Sequence, residues 1–294
     1  MSTRAGFVAL AGRPNVGKST LVNAIVGEKV AIVSDKPQTT RRAIRGIAMR
    51  GDAQLVLVDL PGVQRPRDAL TQRMQTRVEQ ELADADGALL VLNAEQGVGP
   101  GDRFIAGALA RTEVPVAIAV NKVDRLDRAG TLAALAGAAE LGVSDEIFPI
   151  SARKGTGVEP LVEHLAGLLP ESPFLFDPAD ASDQPETVVV AELIREQILR
   201  RTFQEVPHAV EVVVEEIDAT RADLVRIRAL AWVEAESQKG ILVGAQGAMI
   251  KAIGTAARRE LERHLGARVY LDLSVRVRRR WRADDALLDR LGIE

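Results

Sequence analysis

The stretch Gly12-Arg-Pro-Asn-Val-Gly17-Lys18-Ser19 follows directly on an apolar run, Phe7–Ala11, and leads into a helical pattern. Its glycines let the backbone curl so that successive N–H groups point at one place. The helix that follows turns its positive end toward the same point. Such a turn cradles a chain of phosphates, with Lys18 reaching the distal ones and the Ser19 hydroxyl placed to hold a divalent cation. A strand before and a helix after are the context the pattern requires, and both are present in the sequence.

Residues 6–170 alternate short apolar runs with helical patterns. The runs Phe7–Ala11, Gln54–Asp59, Ala88–Asn93, Pro115–Asn121 and Glu146–Ile150 are rich in Val, Leu, Ile and Ala. Strands buried on both faces of a parallel sheet have this composition. Helices are predicted near 18–26, 69–84, 101–111, 129–141 and 158–169. The alternation implies a doubly wound, mostly parallel α/β sheet that binds ligands beyond the carboxyl ends of its strands.

Three further segments fall at such ends. Asp59-Leu60-Pro61-Gly62 is a DxxG, in which the carboxylate can hold Mg²⁺ through a water and Gly62 can turn its N–H to a γ-phosphate. Asn121-Lys122-Val-Asp124 is an NKxD, whose one carboxylate can accept both N1–H and the N2 amine of guanine. Adenine lacks those donors on that edge, and a desolvated carboxylate left unpaired is expensive, so the residue selects guanine. Ser151-Ala152-Arg153 can brace the base through a backbone N–H. Each motif alone is weak; all in order, each at a strand end, are strong. Between the first helix and Gln54, Pro37-Gln38-Thr39-Thr40-Arg41 suits a switch loop ordered by γ-phosphate and Mg²⁺. The metal ligands are then Ser19, Thr40 (in preference to Thr39) and Asp59. The nucleotide contacts are Gly12, Arg13, Pro14, Asn15, Val16, Gly17, Lys18, Ser19, Thr20, Asp59, Leu60, Pro61, Gly62, Asn121, Lys122, Asp124, Ser151, Ala152 and Arg153.

These motifs resemble the small GTPases of the translation-factor branch. GRPNVGKS together with QTTR resembles the Era and Der group of bacterial GTPases. The resemblance implies Mg²⁺-dependent hydrolysis of GTP to GDP and phosphate, with Lys18, Thr40, Asp59 and Gly62 as catalytic residues. Val63 stands where Ras-like enzymes carry a water-positioning Gln, and valine cannot orient water by hydrogen bonding. Another group, backbone with ions, or a partner must do so. Asn15 matches an asparagine that in relatives of this group helps hold K⁺ beside the phosphates, which implies K⁺-stimulated hydrolysis.

Beyond residue 170 the pattern changes. Pro170, Pro173, Pro178 and Pro185 mark an extended linker over 171–186. A helix at 187–203, strands at Ala209–Ile217 and Val225–Glu236, two helical segments and a strand at Arg268–Val277 then give the order α-β-β-α-α-β. Gly244-Ala245-Gln246-Gly247 is a GxxG, expected between the second of these strands and the following helix. A lone GxxG is weak, but in this order it resembles a type II KH domain, an α+β fold. That resemblance implies a clamp on about four nucleotides of single-stranded RNA, with Lys239, Gly244, Ala245, Gln246, Gly247, Lys251 and Arg258 as contacts. From Lys239 to Arg282 eleven basic residues face three acidic ones, a net +8 that suits phosphate binding. The tail Arg278-Arg-Arg-Trp281-Arg resembles the end of Era proteins; Trp281 is expected to anchor the tail and Trp232 to lie in the core.

The net charge is −3 over 294 residues, so nucleic-acid binding must come from that local patch. The absence of cysteine excludes disulfides, thiolate metal sites and a cysteine nucleophile, and fits a reducing cytosol. No signal-peptide pattern opens the chain, and no apolar run approaches the ~20 residues of a membrane span. The expected division is a nucleotide domain over 1–170, the linker 171–186 and an RNA-binding domain over 187–294. One such nucleotide domain followed by a KH domain resembles Era rather than Der, which has two. The Era resemblance implies binding to the 3′ end of small-subunit ribosomal RNA, a role in assembling the small subunit, and a cytoplasmic monomer without DNA. Peripheral attachment to the inner face of the cell membrane stays open. So does a rival reading in which the basic domain docks a protein or anionic lipid.

Overall fold

The computed structural model describes residues 2–36, 39–62, 68–221 and 223–293. Its first half is a six-stranded sheet in the order β2-β3-β1-β4-β5-β6. The strands are β1 (Arg4–Ala11), β2 (Ile44–Arg50), β3 (Ala53–Asp59), β4 (Gly87–Asn93), β5 (Val116–Asn121) and β6 (Ile147–Ile150). All neighbours pair in parallel except β2, which is antiparallel to β3. The strand β2 was not among the five apolar runs. It is an edge strand with polar residues at Arg45 and Arg50 and a glycine at Gly46, so its composition does not read as buried.

Side chains alternate across β1. Val8 and Leu10 pack on α1 (Lys18–Val26) and α5 (Val158–Leu168), while Ala9 and Ala11 face α2 (Ala69–Ala83), α3 (Pro100–Leu109) and α4 (Arg128–Ala139). The two-faced burial leaves the carboxyl ends of β1, β3, β5 and β6 as the open rim where the motifs lie. Residues 171–186 are extended but are not a free spacer. Ile47 donates its N–H to Ala181, Ser182 bonds the Arg45 carbonyl at 2.6 Å, and the Gln54 carboxamide holds Leu175 and Phe176. The segment thereby covers the exposed edge of β2.

The second half opens with α6 (Glu186–Leu199) and a short α7 (Val206–Ala209), followed by the antiparallel pair β7 (Glu211–Arg221) and β8 (Leu224–Val233). Next come α8 (Glu236–Val243), α9 (Ala248–Leu265) and β9 (Arg268–Val277), which returns parallel to β8 as a helical crossover demands. Ile227, Ala229, Ala231 and Val233 point into a core with α6 and α9. Trp232, expected in that core, is therefore on the opposite face of β8. It is half-buried there, with the Arg278 guanidinium 5.0 Å from its ring centroid. Trp281 is fully buried, as an anchor should be. Its indole donates to the Ala209 carbonyl at 2.8 Å, and it packs with Leu287 and Leu288 of α10 (Asp285–Arg290) and with Leu70 and Met74 of α2. The tail thus returns to the first half.

The seam between the halves is charged and dry. Arg41 bonds Glu211 and the Val210 carbonyl at 2.6 Å each, and Arg42 reaches Glu192 and Glu211 at 3.1 and 3.3 Å. Burial alone would raise the Glu211 carboxyl, but the guanidiniums of Arg42, Arg41 and Arg195 hold it at about 2. Burial lowers Arg41 to about 10, so it keeps its charge at neutral pH. A carboxyl depressed on folding stabilises the fold above its unfolded value and loses that contribution as pH falls through the folded one. Glu211→Gln is therefore expected to cost about 3–5 kcal/mol at pH 7. The gap from wild type should shrink as pH falls from the ordinary value of 4.5 toward about 2. Denaturant unfolding of both proteins across that range measures it.

Candidate nucleotide site and nucleic-acid interface

The turn after β1 and the first turn of α1 form one wall of a cavity of about 380 Å³. Gly17 caps α1 in the left-handed region (φ 105°) with no side-chain cap, so the first N–H groups of the helix stay open to an anion. A Cβ there would sit 2.3 Å from the Asn121 carboxamide, so only glycine fits. Pro14, Asn15, Lys18, Ser19, Thr20 and Gly62 line the cavity as expected from the motifs. Arg13 does not: its guanidinium turns away to the buried Asp102 at 2.9 Å, tying the turn to α3 and leaving only its main chain near the cavity. Val16 and Leu60 are fully buried beneath the site and shape it from below.

Three oxygens converge at the inner end. The Ser19 hydroxyl lies 2.5 Å from Asp59 Oδ2 and 3.2 Å from the Thr40 hydroxyl, which is itself 3.3 Å from Asp59 Oδ2. Asp59 Oδ1 is buried without a hydrogen-bond partner. Hard oxygen donors with an unspent carboxylate oxygen fit Mg²⁺. The Thr39 hydroxyl points elsewhere, to the Lys36 carbonyl at 2.7 Å. Burial lowers the Lys18 ammonium and raises the Asp59 carboxyl, each opposed by the other's charge. Lys18 Nζ rests on the carbonyls of Gly12 and Arg13 at 3.2 and 3.4 Å.

The strand ends β5 and β6 carry the other motifs. Asn121 accepts from the N–H groups of Lys122 and Ala152 and donates to the Val16 carbonyl at 2.9 Å, locking the two motifs to the phosphate turn. Lys122 reaches back to the Asn15 carbonyl at 2.8 Å. A hydrogen bond from Ser151 holds the Asp124 carboxyl low, keeping it an acceptor. Arg153 is exposed. The cavity is also lined by Val33, Ser34, Asp35, Lys36 and Arg125, which motif reasoning missed. They sit between α1 and the switch residues, or just after NKxD, without a pattern of their own. Pro37, Gln38 and Val63 lie outside the described residues.

In the second half a groove of about 350 Å³ runs between α9 and the edge strand β9. The GxxG stands at its head, between α8 and α9 rather than between β8 and a helix, because α8 intervenes. Gly244 is left-handed (φ 71°), and a Cβ would meet Met249 Cβ at 2.7 Å. Lys251 and Arg258 line the groove with Ile250, Gly254, Thr255 and Tyr270. Ala245 and Gln246 are exposed at the loop tip, and Lys239 is half-buried on α8; none of the three lines the groove. Positions 247, 250, 251, 254, 255 and 258 are one helical stripe opposite the core residues Ile253, Ala257 and Leu261, a periodicity that could have identified Ile250 and Gly254.

Residues 7–122 match a family model described as a 50S ribosome-binding GTPase, and residues 205–282 match a KH domain model. GTPase Era of Mycobacterium avium (strain 104) is 45% identical over 294 residues, with 98% of each chain covered. The chain belongs to the Era family of GTPases. GTPase Era of Nocardioides sp. is 47% identical over 300 residues, covering 98% of this chain and 96% of that one. A crystal structure of Era in complex with MgGDPNP and nucleotides 1506–1542 of 16S ribosomal RNA is similar over 99% of both chains, with 34% identity and a TM-score of 0.95. A variant of Aquifex aeolicus Era bound to GDP.AlF4- reaches a TM-score of 0.92, again at 34% identity over 99% of both chains. As an Era GTPase the chain hydrolyses GTP to GDP and phosphate with Mg²⁺. Asp124→Asn replaces a double acceptor with a donor, so GTP affinity should fall roughly 100-fold or more. Xanthosine triphosphate, which offers an acceptor where guanine has its N2 amine, should lose far less. Competition between the two nucleotides in a fluorescence displacement assay reads the change.

Proposed function

We propose that this Era GTPase is a switch that grips the single-stranded 3′ end of small-subunit ribosomal RNA in its second half and assists assembly of the small subunit. The observation that carries this is the groove between α9 and β9, lined by Lys251 and Arg258 with Asp272 opposite, and the GxxG that immediately precedes α9. Open helix N–H groups and close backbone approach at Gly247 suit a nucleotide backbone, and the free edge of β9 suits base edges. The Era structure in complex with 16S ribosomal RNA nucleotides supports the choice of partner. The family model naming the 50S particle covers only 7–122 and does not include this groove. We divide the chain accordingly into a GTPase unit over 1–170, the linker 171–186 and an RNA-binding unit over 187–294.

In the nucleotide site, Asp124 accepts from the guanine edge, Asn121 positions it by tying the Ala152 N–H and the Val16 carbonyl together, and the N–H groups from Asn15 to Ser19 hold the phosphates. Ser19, Thr40 and Asp59 would hold Mg²⁺, which would supply positive charge against the phosphate oxygens. Lys18 Nζ turns from the Gly12 carbonyl to the same oxygens. Gly62 offers its N–H to the γ-phosphate. Water attacks the γ-phosphorus, the bond to the β–γ bridging oxygen breaks, and GDP keeps that electron pair. Asn15 donates its amide to the Asp35 carbonyl at 2.8 Å, which leaves its carboxamide oxygen as a K⁺ ligand at the cavity.

A cytoplasmic role fits work on ribosomes. Peripheral attachment to the inner membrane face would use the same basic surface; among the described residues no single helix is long and apolar enough to cross a membrane. Binding to a short RNA copying the 3′ tail, with a GTP analogue or GDP, tests the main reading. Selective binding over a scrambled RNA, stronger with the GTP analogue and lost in a Gly244→Asp, Gly247→Asp double variant, is expected. Equal binding of both RNAs would refute the groove and move the weight to lipid, which vesicles containing anionic lipid would then capture. Hydrolysis should be several-fold faster in K⁺ than in Na⁺, and Asn15→Ala should remove most of the difference. Equal rates in both salts would end the K⁺ proposal.

A further inference from the structure

Two neighbouring residues of α6 reach from the second half into the switch loop of the first. Glu196 is fully buried; its Oε1 accepts the Val33 N–H at 3.0 Å and its Oε2 accepts Lys29 Nζ at 2.6 Å. Arg195, also fully buried, donates to the Thr39 carbonyl while two bonds to Glu192 hold its guanidinium in place. The gripped stretch carries Val33, Ser34, Asp35, Lys36 and Thr39 of the nucleotide-cavity lining, and Thr40, also in the lining, follows directly on the second grip. The loop is embedded at both ends. Ile32 is buried in the second core, among Val190, Ile194 and Leu261, and Arg41 caps the carbonyls of Pro207, His208 and Val210.

We propose that Arg195 and Glu196 are positioning residues for GTP hydrolysis, setting from the second half the switch-loop path that places Thr40 against Ser19 and Asp59. Neither touches the reacting atoms. They act by fixing the backbone that leads into Thr40, at Val33 and at Thr39, so the nucleotide half cannot assemble its full metal shell unless α6 is docked. The helix α6 packs in turn on α9, which carries the groove residues, and Lys29 lies 3.8 Å from Glu260 of α9. What occupies the groove therefore bears on the same clamp. The proposal rests on the GTPase reading, and the experiment separates the two.

Single-turnover and steady-state hydrolysis would be measured on the full chain with Mg²⁺ and K⁺, for wild type, Arg195→Ala, Glu196→Ala and Glu196→Gln. Ile198→Ala serves as a control, since Ile198 is buried on the same helix and is part of the second core. Thr40 closure is required once the γ-phosphate is present, so kcat should fall about tenfold in both alanine variants while GDP affinity changes less than about twofold. Glu196→Gln keeps an acceptor for Val33 and should recover most of kcat. The control should lose melting temperature without losing kcat. If Arg195→Ala does not fold, the Glu196 pair decides alone. Wild-type kcat in the folded alanine variants, no rescue by Gln, or an equal loss of kcat in Ile198→Ala would each overturn the clamp. Failure of the wild-type chain itself to hydrolyse GTP would instead refute the GTPase reading.

Discussion

Three guanidiniums and two carboxylates share a buried space between the halves of the molecule. Arg41, Arg42 and Arg195 meet Glu192 and Glu211, and of the five only Arg42 and Glu192 keep some side-chain exposure. Removing charges from water is expensive, and hydrophobic residues of the same volume would often hold such a seam as well. What ions add is geometry. Each guanidinium accepts only certain directions of approach, so the seam admits few docked arrangements, and a one-sided change leaves a charge buried without its partner. The seam specifies how the halves sit more than it stabilises them.

That specificity matters because of where Arg41 and Arg42 lie in the chain. Thr40 immediately precedes them, and its hydroxyl lies 3.2 Å from the Ser19 hydroxyl and 3.3 Å from Asp59 Oδ2. A displacement of Thr40 cannot be absorbed in a slack loop, since the next two residues are fixed to the carbonyls of α7 and to Glu211, and the preceding carbonyl is held by Arg195. The carboxylate that holds two of the arginines, Glu211, opens β7 of the RNA-binding sheet. Under the proposed clamp, nucleotide state and groove geometry would be two biases on one packed seam. By linkage, whatever free energy GTP contributes to RNA binding, RNA returns to GTP binding.

Much of this was legible in the chain itself, and the rest was hidden for definite reasons. The phosphate turn, Asp59 and the Asn121–Asp124 segment were readable because their chemistry demands particular residue types at fixed spacing after a strand. The helix order of the second half was readable from its periodicity. By contrast, β2 is polar in part, interrupted by Gly46 and lies on an edge, so no run of apolar residues announces it. Trp232 lies on the other face of β8 and packs against the tail cluster of Trp281, Leu287 and Leu288 in place of the main core, which composition cannot show. The seam residues are spread from Arg41 to Glu211, and no local pattern pairs a switch arginine with a glutamate some 170 residues later. Arg13 was assigned to the nucleotide by its place in the motif, but Asp102, equally ordinary in sequence, takes its guanidinium.

The nucleotide cavity is itself part of the same economy of charge. Lys18 and Asp59 are both buried, and burial weakens the charged form of each. In the protein alone they have only partial compensation: Lys18 has two main-chain carbonyls, and Asp59 has two hydroxyls on one oxygen and nothing on the other. A triphosphate with Mg²⁺ supplies negative charge to the first and positive charge to the second at once. The site is therefore complementary to the complex and not to either component separately. The Thr40 hydroxyl meets the same Asp59 oxygen, so under the proposed clamp a ligand that completed the site would also stabilise the docking of the two halves.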